Sequence, residues 1–450
     1  MSERIKILSG EGEASYNHLS YETARRDEFK WLRQGIWMYF ILLIFEGALR
    51  KWVFPQLATP LLIVRDPIAV WLIAMSYRKG ILAPNLYLTG MVILGVLSIF
   101  TGIFLGHGNL AVALFGARVF LLHFPLMFII GKVFDRKDVI SMGRVLLWLA
   151  IPMTVLIAMQ FYSPQSAWVN KGIGDTTEGG GFSGAMGFFR PPATFSFITG
   201  TASFFSMVAC FVFYFWLDSK NMNRLVLILA TMSLMASIPL SISRTLFFGV
   251  GLTALFAAMA ILRKPQYLGK MLVIIMVTFA IIFVFKDKAA IKTPLEAFTT
   301  RFTTANEQEG GIKNVAGDRF LGGMFEAIIG SSDQPFFGHG IGMGTNVGAM
   351  LLTGKNTFLI SEGEWGRLIG EQGPILGLGV IILRLGFCFQ LLMAAYRRLQ
   401  AADILPWLLL SFTLINIGQG QWGQPSSLGF SILAGGMMLA VLRNSSSETS

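Results

Sequence analysis

The sequence predicts an all-α, polytopic integral membrane protein with about twelve transmembrane helices. Three observations carry that expectation. Of 450 residues 54% are apolar and only 14% charged, against roughly 25% charged in ordinary soluble proteins. The apolar residues come in runs of span length, enough for about twelve spans of about 20 residues each. Basic residues collect in every second connection between those runs. A water-soluble fold, a secreted disulfide scaffold and a disordered chain are thereby excluded. The net charge of +11, from 36 Lys and Arg against 25 Asp and Glu, would suggest nucleic acid in a soluble protein. Here it reads as basic loops held at the cytoplasmic face, and no nucleic-acid partner is expected.

Taken in order, the candidate spans are 35–49, 57–76, 86–105, 110–131, 143–162, 194–217, 223–241, 243–263, 267–286, 372–396, 404–419 and 426–442. Arg78 and Lys79 follow the second span, and Lys132, Arg136, Lys137 and Arg144 the fourth. Lys220 and Arg224 follow the sixth, Arg263, Lys264 and Lys270 the eighth, and Arg397 and Arg398 the tenth. The odd-numbered connections at 106–109 and 420–425 carry neither Lys nor Arg. Both termini are therefore expected in the cytoplasm: a tail over 1–34, a membrane domain over 35–442 and a tail over 443–450. The first thirty-odd residues are polar and mixed in charge, so the first apolar segment is expected to be a retained anchor.

This orientation sends two long connections outside. Segment 163–193 is glycine-rich and holds Glu178-Gly179-Gly180-Gly181-Phe182-Ser183-Gly184. Segment 287–371 is the longest, and loops of such length are usually functional. Within it, 293–307 and 316–329 mix apolar and polar residues as short surface helices do.

Ionisable groups within spans are costly, so their depth is informative. Glu46 lies near the outer end of the first span with Arg50 four residues on, on the same helical face. Arg65 and Asp66 are expected about 10 Å inside the second span. Arg118 lies at comparable depth in the fourth, and Arg244 at the outer mouth of the eighth. Glu362, Glu364, Arg367 and Glu371 crowd the outer entrance of the tenth, while Arg384 is the main charge in an inner half. Pairing of Glu46 with Arg50 or Arg65, and of Asp66 with Arg118, is the expected structural outcome. Paired charges can still line an outward-opening polar cavity, and an excess of Arg suits an anionic ligand such as a lipid phosphate.

Several chemistries are not indicated. The outer loops hold no Asp-x-Asp pair, and the chain has neither a phosphate-binding Gly-x-x-x-x-Gly-Lys loop nor a nucleophile elbow. Four scattered histidines cannot assemble a rich metal site, so neither metal nor cofactor is expected. Cys210 and Cys388 sit in apolar runs as inert thiols. His339, flanked by glycines, reads as a turn residue.

Four motifs give the chain its resemblance to a family. Arg190-Pro191-Pro192-Ala193-Thr194-Phe195 ends the first long loop, with Ala193 in place of a family glycine. Ser243-Arg244-Thr245 starts a later span, and Gly338-His339-Gly340-Ile341-Gly342 forms a G-x-G-x-G turn. Glu371-Gln372-Gly373 closes the large loop, and nine places before it Glu362 stands where the family has a histidine. In order, sidedness and spacing these resemble the O-antigen ligase and O-antigen polymerase superfamily. Phe45-Glu46-Gly47-Ala48-Leu49-Arg50-Lys51-Trp52 resembles its exopolysaccharide polymerase-like members.

The resemblance implies a metal-independent glycosyltransferase of the bacterial inner membrane, acting at its periplasmic face. Its donor would be an undecaprenyl diphosphate-linked glycan, its acceptor a glycan or lipid, and its setting the membrane lipids and a polysaccharide assembly complex. It further implies that Glu362, together with Glu364, replaces the family's histidine as base, with Arg190 and Arg244 facing the departing diphosphate. Arg65, Asp66, Arg118, His339 and Arg367 complete the candidate substrate-binding set. The rival class is a twelve-span transporter or a flippase of lipid-linked glycans, though no second copy of the Arg65-Asp66 or Ser243-Arg244 environment is found. A third is a catalytically silent scaffold.

Overall fold

A computed structural model describes residues 28–174, 179–218, 222–262, 269, 288–308, 323–330, 334–355, 359–361 and 363–444. The chain is predominantly helical and multi-pass. Among the described residues nine helices are long and apolar enough to cross a membrane: Lys30–Val53, Pro60–Arg78, Leu86–Phe104, Leu110–Val133, Arg136–Tyr162, Ile198–Leu217, Arg244–Leu262, Glu364–Gln400 and Pro425–Arg443. Two more apolar helices, Arg224–Leu240 and Leu405–Gly418, are shorter. These eleven match eleven of the twelve expected segments; the twelfth, 267–286, lies outside the described residues apart from Gly269.

Ile198–Leu217 and Pro425–Arg443 are the most enclosed of the long helices. The last helix can sit centrally because it is rich in small residues, which let neighbouring backbones approach. A Cβ on Gly435 would fall 2.3 Å from Met127 Sδ, and one on Gly436 2.5 Å from Ile130 Cβ. Its principal neighbour is accordingly the helix Phe124–Val133.

Three local features depart from the plain run of spans and loops. First, the helical fold carries a small pair of strands. The glycine-rich loop folds into a small antiparallel hairpin, β1 (Phe182–Ala185) with β2 (Phe188–Arg190). Its turn residues Met186 and Gly187 both have positive φ, 55° and 79°, the turn geometry that matches strand twist in tight hairpins. Second, the second span does not begin as an α-helix at residue 57. Short 3-10 turns at Pro55–Leu57 and Pro60–Ile63 precede the α-helix Asp66–Arg78, in which Pro67 lies in the first turn. Arg65 and Asp66 thus stand at a helix N-terminus.

Third, the tenth span is broken. Helix starts at Glu364, ahead of the expected span 372–396, and is interrupted at Gly373, whose φ of 75° and ψ of 174° are non-helical. Glu364 and Arg384 touch at 2.6 Å, whereas 20 residues of straight helix would hold them about 30 Å apart. The arm 364–372 therefore folds back along 374–400. Only glycine fits the bend, because a Cβ there would meet Phe336 O at 2.2 Å.

In the large loop, the expected helix over 293–307 is Ala289–Gln308, which packs on Arg224–Leu240 and on β1. Of 316–329, the described part is helical over Gly323–Ile329.

Candidate functional site

The fold-back brings the large loop and the tenth helix into one site. The turn Gly338–Gly342 has positive φ at Gly338 (70°), Gly340 (109°) and Gly342 (91°), a path other residues rarely follow. It lies against the bend: His339 N–H donates to Gly370 O at 2.8 Å and Gly340 N–H to Glu371 O at 2.9 Å. Gly344 N–H donates to Glu371 Oε1 at 2.9 Å. The two motifs that end the large loop, about thirty residues apart in sequence, are thus one structural unit.

Glu364, Arg367, Glu371 and Arg384 are all buried here. Arg367 donates through Nε and Nη2 to both oxygens of Glu364, each at 3.0 Å, and through Nη1 to Glu371 Oε2 at 2.7 Å. Arg384 donates to Glu364 Oε1 at 2.6 Å, to Ile417 O at 2.6 Å and to Gly420 O at 2.9 Å, and lies over the Trp422 ring. Two cations face two anions, so the cluster is neutral. A cleft above it is lined by Thr345, Asn346, Ser361, Gln421 and Gln424 with the edges of Glu364 and Arg367.

Glu364, expected at the entrance of the tenth span, stands level with Arg384, about 15 Å along the helix from Pro374. Arg384, isolated in the sequence, is the partner that the bend supplies. Glu362 lies outside the described residues.

A second network joins the first, second and fourth spans. Arg65 Nε donates to Glu46 Oε2 at 3.1 Å, and Arg50 pairs with Glu46 at 3.7 Å. Glu46 is therefore shared between both candidate partners. Arg118 Nη1 donates to both oxygens of Asp66, at 3.1 and 2.8 Å. His123 Nε2 lies 3.0 Å from Asp66 Oδ1 and its Nδ1 3.0 Å from Tyr39 Oη. A carboxylate only accepts, so Nε2–H donates to Asp66 and Tyr39 O–H donates to Nδ1. Arg65 Nη1 reaches the same Tyr39 oxygen at 3.4 Å, which closes the link between the two ion pairs. Sequence reasoning singled out neither Tyr39 nor His123, because the contact joins side chains of three separate helices.

The networks meet through segment 420–425. Arg384 binds Gly420 O, and Arg65 Nη2 donates to Pro425 O at 2.7 Å.

Arg190 ends β2, with Nε donating to Ser183 O at 2.8 Å. Arg301, which sequence analysis passed over, donates to the neighbouring Gly184 O at 2.9 Å. Arg244 is half-buried at the start of its helix, where Ser243 Oγ accepts from Leu246 N–H. Its neighbour Ile242 lies against the hairpin at Gly184. Phe182 of the hairpin packs on Phe197, and Thr199 donates to Gln424 at the cleft. His339 is exposed, as expected of a turn residue.

The segment after Arg190 is clamped by the first span. Lys51 Nζ donates to Ala193 O at 2.6 Å and Phe195 O at 2.9 Å, and Arg50 donates to Ser196 Oγ at 2.9 Å. The Phe45–Trp52 motif thus holds the chain leading out of the hairpin.

Among the described residues no group of three or more His, Cys, Asp or Glu is arranged to hold a metal ion. No family model and no curated protein matches the chain.

Proposed function

We propose that this chain is a membrane glycosyltransferase of the O-antigen ligase and polymerase type, with twelve spans, cytoplasmic termini and its reaction at the periplasmic face of the bacterial inner membrane. The observation that carries it is the docking of the Gly338–Gly342 turn on Glu371-Gln372-Gly373 beside a polar cleft. Two of the motifs behind the family resemblance thereby form one structural unit, which Glu371 ties to the cleft residues Gly344 and Arg367. The alternating basic connections support the orientation.

The reaction is a single displacement. The acceptor hydroxyl oxygen attacks the anomeric carbon of a polyprenyl diphosphate-linked glycan. The bond from that carbon to the diphosphate oxygen breaks, its electron pair leaves with the diphosphate, and configuration inverts. Glu362 takes the hydroxyl proton. Glu364, with both oxygens engaged by guanidiniums, holds Arg367 and Arg384 rather than taking a proton. Arg190 and Arg244 stabilise the departing diphosphate, electrostatic help worth about 10²–10³ in rate per donor.

The test is purified protein in detergent, given a lipid-linked oligosaccharide and an acceptor glycan without nucleotide or metal. Products lengthened by donor repeats are expected. Arg190→Ala, Arg244→Ala and Glu362→Ala should each lose at least about a hundredfold in rate, and wild-type rates in all three would refute the assignment. The broken helix at Gly373 also occurs in carriers, where interrupted helices form substrate sites. Transfer in detergent, where no membrane separates two compartments, separates the two classes.

A further inference from the structure

The charged networks differ in one guanidinium. Arg118 uses Nη1 for both bonds to Asp66, and one face of its guanidinium stacks on Phe115 with 4.0 Å to the ring centroid. Its Nε is buried with no hydrogen-bond partner, and among the described residues the side chain's hydrogen bonds both run through Nη1. The side chain is only 10% exposed. Leaving a buried donor unmatched is costly, the more so when it is charged. The unmatched side is the Nε–Nη2 edge, the fork that grips two oxygens of a phosphate.

Local charge favours the same ligand. Around Asp66 and Glu46 stand Arg50, Arg65 and Arg118, three guanidiniums against two carboxylates, one positive charge in excess. The helix Asp66–Arg78 begins at this point, and its N-terminal N–H groups add positive potential. Apolar surface adjoins the fork: Leu114, one helical turn before Arg118, is 52% exposed, and Ile63, one turn before Asp66, is 44% exposed. A hydrocarbon chain can lie there while its phosphate reaches Arg118.

We infer that the Nε–Nη2 edge of Arg118, held by Asp66 and Phe115, binds the phosphate oxygens of a lipid. The choice of a polyprenyl carrier as that lipid rests on the proposed function; the oxyanion site itself does not.

The test uses full-length protein in phosphatidylcholine nanodiscs, treated with phenylglyoxal and read by peptide mass. Polyprenyl phosphate, phosphatidic acid and inorganic phosphate are added separately. Polyprenyl phosphate is expected to slow labelling of Arg118 at least tenfold, and Arg118→Lys to weaken its binding at least tenfold. Equal protection by phosphatidic acid, or protection by inorganic phosphate, would support the oxyanion site while reassigning its source to a phospholipid headgroup or a free anion. Labelling unchanged by all three would overturn the proposal, as would wild-type binding by Arg118→Lys. Should that variant fail to fold, protection of the wild-type protein decides. None of these readouts needs glycan transfer, so a chain that transfers nothing can still show protection, and the two proposals fail separately.

Discussion

Two buried charge clusters in one bundle have opposite characters. Glu364, Arg367, Glu371 and Arg384 balance in sign, and their oxygens and nitrogens face one another or backbone N–H and C=O groups. The Glu46, Arg50, Arg65, Asp66 and Arg118 cluster has three guanidiniums against two carboxylates and an unmatched donor edge. The first satisfies its own hydrogen bonds and fastens the broken helix to the Leu405–Gly418 helix. The second leaves one donor edge unmatched, the edge proposed to take a phosphate. Burying charge inside a membrane protein therefore does not by itself mark a binding site; the lesson is to count which donors and acceptors remain.

The largest test of this contrast is Glu364→Ala. It strands two buried guanidiniums, and loss of one partner from a buried pair costs about 3–5 kcal/mol. Detergent-solubilised protein should show a markedly lower thermal midpoint, and a midpoint equal to wild type would mean that the cluster does not hold the fold-back. A smaller effect is expected from Gly373→Ala. A non-glycine residue at φ 75° stores about 1–3 kcal/mol of strain, and the added Cβ would press on Phe336 O. Partial destabilisation measured by the same melt, with transfer activity falling in step, sharpens the link between bend and site. Arg118→Lys sits at the bottom of the scale, since a lysine retains the charge beside Asp66 and its midpoint should barely move.

Much of the fold was legible in the sequence, because hydropathy and charge act locally. Eleven of the expected spans are helices, and the Asp66–Arg118 pair follows from the cost of a lone charge at that depth. The fold-back was not legible. Glu371-Gln372-Gly373-Pro374 reads as a helix start, and nothing near Arg384 announces a partner 20 residues earlier. The hairpin escaped notice because its turn is Met-Gly rather than one of the usual Asn-Gly or Asp-Gly pairs. The Tyr39–His123–Asp66 connection joins three helices, and helical periodicity says nothing about which faces of separate helices meet.

Arginine labelling of the folded, ligand-free protein compares the two clusters in one measurement. Phenylglyoxal should modify Arg118 in the native state, while Arg367 and Arg384 react only after denaturation. Labelling of Arg367 or Arg384 as fast as Arg118, or an Arg118 that stays unmodified until the protein unfolds, would contradict the division between a fully paired cluster and one with an unmatched donor edge.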